Sequence, residues 1–152
     1  MQTVTITSTA FTNGSAIPME HTCEGANFSP PLSFLGIPSQ AKSLVLIVED
    51  PDAPKGTFTH WIVYNLPPSV RTLDHKANIK ELGGLEGVTS FNKKGWGGPC
   101  PPSGIHRYFF KLFVLDSMLN VEDESTHGIY AAMEGHVIAQ GQLMGTYKLV
   151  KD

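Results

Sequence analysis

The sequence predicts a mainly β domain, an antiparallel β-sandwich with few peripheral helices. Short apolar runs rich in β-branched and aromatic residues recur along the chain, and Pro- or Gly-rich turns bound them. Only one segment has the apolar spacing of an amphipathic helix. A chain of 152 residues is long enough to bury its own core, so we expect a single domain over residues 1–152.

The N-terminal region predicts two short strands separated by a loop. Residues 4–8 alternate apolar and polar side chains, as an edge strand with one buried face does. Residues 13–31 contain turn formers such as Asn13-Gly14 and Ser29-Pro30-Pro31, which favour a loop. Leu32-Ser33-Phe34 alternates again and predicts the second strand.

Two apolar runs predict the central strands of a sheet. Residues 43–48 form the first run, which leads into Glu49-Asp50-Pro51, and residues 60–66 form the second, which ends at Pro67-Pro68. Because both runs are short, apolar and bounded by breakers, we expect segments 44–50 and 60–66 to be neighbouring strands of one sheet.

A long connection and a rigid loop precede the next strand. Residues 73–96 are rich in Gly, Asn and Lys and show little periodicity, which favours a surface connection. Residues 98–104 hold three prolines and two glycines, and such a composition fixes an irregular loop. Residues 108–115 are aromatic and β-branched and predict a buried strand.

The C-terminal region predicts the one helix and a final strand. Thr126 is the expected cap and Gly141 the expected stop, because apolar positions recur at spacings of three and four between them. On this pattern His136 would lie on the apolar stripe and be packed. Residues 142–149 predict the last strand.

Charge and hydropathy argue against several classes of protein. The net charge is −3, from 11 basic and 14 acidic residues, and no basic stripe indicates nucleic-acid binding. No apolar run approaches the roughly 18 residues needed to span a bilayer. The first residues lack the basic and apolar segments of a signal peptide, so we expect a cytoplasmic protein.

The two cysteines, Cys23 and Cys100, do not have the spacing of a metal site. In a cytosol they would be reduced, and we favour their role as small packed residues. A disulfide between them, or a reactive thiol at Cys100, remains an alternative.

Polar side chains gather where two predicted strands meet loops. Asp50 ends one strand, His60 begins another, and His106 and Tyr108 follow the rigid loop. Each histidine alone could also be a core residue whose ring nitrogens are hydrogen-bonded inside the protein. Together, two imidazoles, a phenol and a carboxylate indicate a pocket that could hold a phosphate or an ammonium group.

The charged neighbours of these residues have simpler explanations. Alternation along a strand puts Arg107 on the opposite face from His106 and Tyr108, so a structural ion pair is expected for it. We expect Asp52 to build the Asp-Pro turn. The remaining histidines, His21, His75 and His127, are expected at the surface.

With these residues in view, the chain resembles the phosphatidylethanolamine-binding protein family, in its short bacterial, Raf kinase inhibitor-like branch. The resemblance covers nearly the whole chain, and its specificity comes from the order of the blocks. In sequence they are Cys23-Glu24-Gly25, Ser29-Pro30-Pro31-Leu32, Asp50-Pro51-Asp52-Ala53-Pro54, His60-Trp61, Asn65-Leu66-Pro67, Gly98-Pro99-Cys100-Pro101-Pro102, His106-Arg107-Tyr108, Gly135-His136-Val137 and Gly145-Thr146-Tyr147.

The resemblance implies a sandwich of a large and a small antiparallel sheet, with an anion pocket at one end of the large sheet. Family members bind phosphate-like groups such as phosphorylethanolamine there. The ligand-binding positions carried over are Asp50, His60, His106 and Tyr108, walled by the Gly98-Pro99 turn. We expect no cofactor and no bound metal, because no metal-ligand spacing is recognisable. A kinase or protease as partner and a homodimer remain open.

Three functions compete at this stage. The leading one is a non-enzymatic binding protein for small phosphorylated or anionic ligands, because the sequence has no Gly-x-Ser-x-Gly elbow and no Gly-rich phosphate loop. The second is a hydrolase, either a metal enzyme using Asp50, His60 and His106 or a thiol enzyme pairing Cys100 with His106. A kinase or protease inhibitor is the third.

Overall fold

Two β-sheets pack face to face in a computed structural model that describes residues 1–150. The large sheet has six strands and the small sheet three. In chain order the strands are β1 (Gln2–Thr3), β2 (Thr5–Thr7), β3 (Leu32–Leu35), β4 (Ser43–Asp50), β5 (Phe58–Leu66), β6 (Thr72–Leu73), β7 (Leu85–Glu86), β8 (His106–Leu115) and β9 (Val137–Tyr147). A 3-10 turn covers Met19–His21, and helix α1 covers Thr126–Met133.

The large sheet runs in the order β1-β9-β8-β4-β5-β7, and the small sheet in the order β2-β3-β6. Strand β4 pairs antiparallel with β5 on one side and with β8 on the other. The prediction that segments 44–50 and 60–66 are neighbours is therefore confirmed. The mainly β sandwich with a large and a small sheet is confirmed as well.

Strand β4 is buried at all eight positions because both of its faces are covered. Leu44, Leu46 and Val48 belong to the core between the two sheets. Val45 and Ile47 face the other way and pack with Ile129 and Met133 of α1. A strand covered on both faces loses the alternation of polar and apolar residues, which explains its unbroken apolar run.

The C-terminal helix is shorter than the sequence predicts. Ser125, rather than Thr126, is its N-cap, and the helix ends at Met133. Gly135 follows with φ of 82°, a left-handed conformation that ends a helix at low cost. The chain then pairs with β8 from Val137 onward, so the apolar residues read as the last helical turn belong to a strand.

Gly141 has a different role from the expected helix stop. It lies inside β9, where an added Cβ would come within 2.0 Å of the carbonyl oxygen of Val4. The N-terminal segment crosses the sheet at this point, and Val4 donates its N–H to Gln140. Glycine is therefore required by close backbone approach.

The long connection over residues 73–96 contains short β7, which pairs with β5 and forms one edge of the large sheet. Among residues 1–150, no helix is long and apolar enough to cross a membrane.

Candidate functional site

The four polar residues predicted from the sequence meet at one end of the large sheet. Strand β4 runs antiparallel to both β5 and β8, so the end of β4 lies beside the beginnings of the other two. Asp50 pairs with Phe58, and Glu49 pairs with Phe109. Asp50, His60, His106 and Tyr108 consequently line a single cavity of about 190 Å³.

Asp50 and His106 form a buried carboxylate–imidazole pair. His106 Nδ1 lies 2.6 Å from Asp50 Oδ2, and the two side chains are 8% and 5% exposed. The other carboxylate oxygen, Oδ1, accepts the backbone N–H of Asp52 at 2.8 Å. The carboxylate thus fixes the turn after β4 and orients the imidazole of β8 at the same time.

His60 lines the same cavity and is held by a backbone carbonyl. Its Nδ1 lies 2.6 Å from the carbonyl oxygen of Gly97. The rings of Phe58, Phe91 and Tyr108 surround it, with centroids 5.1, 5.4 and 5.2 Å away. Burial among these rings lowers the pKa of His60, because an imidazolium would lose its hydration there.

Tyr108 supplies a phenol with no hydrogen-bond partner. The residue is 1% exposed, and its Oη is a buried polar atom without a partner among residues 1–150. Burial, followed by the negative charge of Asp50, raises the pKa of Tyr108, so the phenol keeps its proton at neutral pH. A buried donor without a partner at the floor of a cavity is suited to a ligand oxygen.

Apolar side chains complete the cavity, and the sequence did not predict most of them. Phe58 and Phe91 line it, as do Ala53 and Pro54 of the turn after β4 and Pro101 and Pro102 of the rigid loop. Phe91 lies in the long connection, where no periodicity marks it as part of a site. No Lys or Arg lines the cavity among the described residues.

The expected wall formed by Gly98 and Pro99 needs correction, because neither residue lines the cavity. Gly98 donates its backbone N–H to Asn27 Oδ1 at 2.9 Å, and the Pro99 carbonyl accepts the N–H of Cys23 at 3.1 Å. An added Cβ on Gly98 would lie 2.2 Å from Asn27 Oδ1. These residues hold the rigid loop against residues 19–28. The wall of the cavity is formed instead by the residues that follow them in the same loop.

A disulfide joins the same two loops. Cys23 and Cys100 are bonded, with Cα atoms 5.5 Å apart, and both residues are exposed. Our preference for two reduced, packed cysteines was therefore wrong, because loop–loop contacts that sequence spacing does not reveal bring them together. The bond also leaves Cys100 without a free thiol to act as a nucleophile beside His106.

The charged neighbours behave largely as predicted. Arg107 lies outside the cavity and makes a bidentate pair with Asp52, with contacts of 2.8 and 2.9 Å. Asp52 also accepts the Arg107 backbone N–H at 2.9 Å. These bonds lower the pKa of Asp52 to about 2. The carboxylate that builds the turn is that of Asp50 rather than that of Asp52.

Two other histidines differ from expectation. His21 is buried, with 1% exposure, and its Nδ1 contacts the Phe28 carbonyl at 3.0 Å, because the loop over residues 13–31 folds back on itself. His136 is exposed and pairs with Asp116 at 2.9 Å, because α1 ends before it.

The proposed metal ligands are not arranged as a metal site. Residues 1–150 bring no three His, Cys, Asp or Glu side chains together in a geometry that could hold one ion.

Comparison with known sequences extends the resemblance over most of the chain. The family profile for phosphatidylethanolamine-binding protein matches residues 7–148. A UPF0098 protein of Methanothermobacter thermautotrophicus is 45% identical over 91% of this chain and 95% of its own length. One from Chlamydia pneumoniae is 48% identical over 93% of this chain and 96% of its own length.

Solved structures agree with the fold. A phosphatidylethanolamine-binding protein homologue from Chlamydia trachomatis has a TM-score of 0.91 at 43% identity, covering 98% of this chain and 99% of its own. YbcL of E. coli, described as a new member of the mammalian family, has a TM-score of 0.88 at 30% identity, covering 96% and 98%.

Proposed function

The chain belongs to the phosphatidylethanolamine-binding protein family, and we propose that it is a non-enzymatic binding protein for small phosphorylated or anionic ligands. The observation that carries the proposal is the convergence of Asp50, His60, His106 and Tyr108 on one cavity. Each of these side chains comes from a strand end of the large sheet, so the sheet holds them in fixed relative positions.

The chemistry of the cavity suits an oxyanion. Tyr108 offers a neutral donor that has no protein partner. His106 adds a donor at Nε2 when its ring takes up a proton, and the Asp50 carboxylate 2.6 Å away balances that charge. The small volume and the apolar rim favour a compact headgroup over an extended polymer.

Calorimetric titration with phosphorylethanolamine and with inorganic phosphate tests the proposal. His106→Ala should weaken binding about 10- to 100-fold, since a hydrogen bond to a charged group contributes roughly 1.5–3 kcal/mol. Arg107→Ala is the matched control, because Arg107 is adjacent and cationic but lies outside the cavity. Equal losses in the two variants, or no binding to the wild type, would contradict the proposal.

A further inference from the structure

One ring nitrogen of His60 already makes a hydrogen bond inside the protein. Its Nδ1 lies 2.6 Å from the Gly97 carbonyl oxygen. A carbonyl oxygen can only accept, so Nδ1 must carry the hydrogen and donate it. A neutral imidazole has a single N–H, and its other nitrogen, Nε2, is then a hydrogen-bond acceptor.

The surroundings of His60 keep its ring neutral. Phe58 of the same strand, Phe91 of the long connection and Tyr108 of β8 cover it. The charged groups that act on it are Asp50 of β4 and His106 of β8, and their effects oppose each other. Burial is the largest influence and disfavours the imidazolium. At neutral pH, His60 therefore presents a lone pair.

His106 differs from His60 although its Nδ1 is also occupied. Its partner is the Asp50 carboxylate rather than a neutral carbonyl, so a positive charge on its ring has a counterion at 2.6 Å. His60 Nδ1 has only a carbonyl dipole. A protonated His106 would therefore donate at Nε2, whereas the neutral His60 accepts there.

A phosphate dianion fits this arrangement poorly. No Lys or Arg among the described residues lines the cavity, and the Asp50 carboxylate is part of it. An ionised oxygen placed against the lone pair of His60 would be repelled. A singly protonated phosphate instead offers a P–OH group to that lone pair and keeps its remaining charge for Tyr108 and His106.

We propose that His60 selects the singly protonated form of a phosphate monoester by accepting a hydrogen bond from its P–OH group at Nε2. This inference rests on the proposed function, since it assumes that phosphorylated ligands enter this cavity. The apolar rim formed by Phe58, Phe91, Pro101 and Pro102 favours a monoester with an apolar substituent. A sulfate monoester has no proton to offer and should be discriminated against.

Proton linkage is the measurable consequence. A phosphate monoester loses its second proton near pH 6, so at higher pH the ligand must regain one proton to bind. Affinity for such a ligand should therefore fall about tenfold for each pH unit above 7. Phenyl phosphate and phenyl sulfate are a suitable pair of probes, because they share shape and substituent.

The test is titration calorimetry of both probes at pH 8 in buffers that differ in ionisation enthalpy. We expect phenyl phosphate to bind at pH 8 with uptake of at least one proton. At pH 5, where the monoester already carries that proton, we expect it to bind more tightly than phenyl sulfate. Phenyl phosphate bound without proton uptake would overturn this inference and leave the proposed function standing. If neither probe binds between pH 5 and 8, the proposed function fails and this inference with it.

His60→Gln separates His60 from other sources of the proton. A glutamine amide supplies a donor or an acceptor near the Nε2 position without titrating. Proton uptake should fall by about one proton, and the preference for phenyl phosphate over phenyl sulfate should shrink. Proton uptake equal to that of the wild type in a folded His60→Gln variant would overturn the role of His60. If that variant does not fold, nitrogen-15 NMR of the wild type with phenyl phosphate bound decides the question, because a protonated His60 Nε2 in the complex would overturn the inference.

Discussion

Asp50 and His106 are 56 residues apart in the chain and are joined by a hydrogen bond of 2.6 Å inside the cavity. The second oxygen of the same carboxylate accepts the N–H of Asp52. One side chain therefore sets both the turn after β4 and the orientation of the imidazole at the start of β8. A substitution at Asp50 should therefore change both the affinity for ligand and the stability of the fold.

Asp50→Asn should weaken phosphorylethanolamine binding more than it weakens the fold. Asparagine can still accept the Asp52 N–H, but it cannot balance a charge on His106. The loss of a charge-assisted hydrogen bond corresponds to about 1.5–3 kcal/mol of binding free energy. Calorimetry measures the binding, and Asp52→Asn is the control because its pair with Arg107 lies outside the cavity. Equal ligand affinity in the Asp50→Asn and Asp52→Asn variants would contradict a role for the Asp50–His106 pair in binding.

Tyr108→Phe should leave stability nearly unchanged and weaken anion binding, because the Oη that it removes has no protein partner. Tyr64→Phe is the matched control. Tyr64 donates to Glu124 at 2.5 Å, away from the cavity, so its replacement should destabilise the fold by about 1 kcal/mol and leave binding unchanged. Urea denaturation and calorimetry on both variants give the comparison. The reverse pattern would show that Tyr108 is structural.

Reduction of the Cys23–Cys100 bond should destabilise the protein. The bond closes a loop with a sequence separation of 77, and disulfides that close long loops typically contribute about 2–4 kcal/mol to the free energy of unfolding. Denaturation with and without a reductant measures this, and the Cys23→Ser, Cys100→Ser double variant should match the reduced protein and not respond to reductant. Equal stability in both redox states would mean that the bond does not hold the loops in solution.

The Asp52–Arg107 pair should make a small contribution to stability that disappears in acid. The pKa of Asp52 is lowered to about 2 in the folded protein, against an ordinary value of about 3.9. The contribution is therefore present above pH 4 and is lost as the pH falls through 2. Because Arg107 is about half exposed, solvent screens the pair, and we expect its contribution to the free energy of unfolding to be small. Asp52→Asn should be less stable than the wild type at pH 5 and equally stable near pH 2, as urea denaturation would show.

Strand patterns and breakers were enough to predict the sheet and the gathering of four polar side chains in one cavity. Asp50, His60 and Tyr108 stand beside apolar runs, and antiparallel pairing of those runs brings their ends together. The disulfide and the contribution of Phe91 could not be predicted in the same way, because they depend on how loops fold back. The predicted helix is too long because apolar spacing alone does not distinguish a last helical turn from the start of β9.

The unliganded protein should contain His60 as the Nδ1–H tautomer, and its ring should titrate below the ordinary pKa near 6.5. The Gly97 carbonyl fixes the tautomer, and burial lowers the pKa. A lowered histidine pKa in the folded state gives stability that is present above pH 6.5 and is lost as the pH falls through the folded value. Nitrogen-15 NMR of the imidazoles distinguishes the two tautomers and follows the titration. A His60 ring found as the Nε2–H tautomer would place a donor in the cavity, and the acceptor role proposed for it would then be untenable.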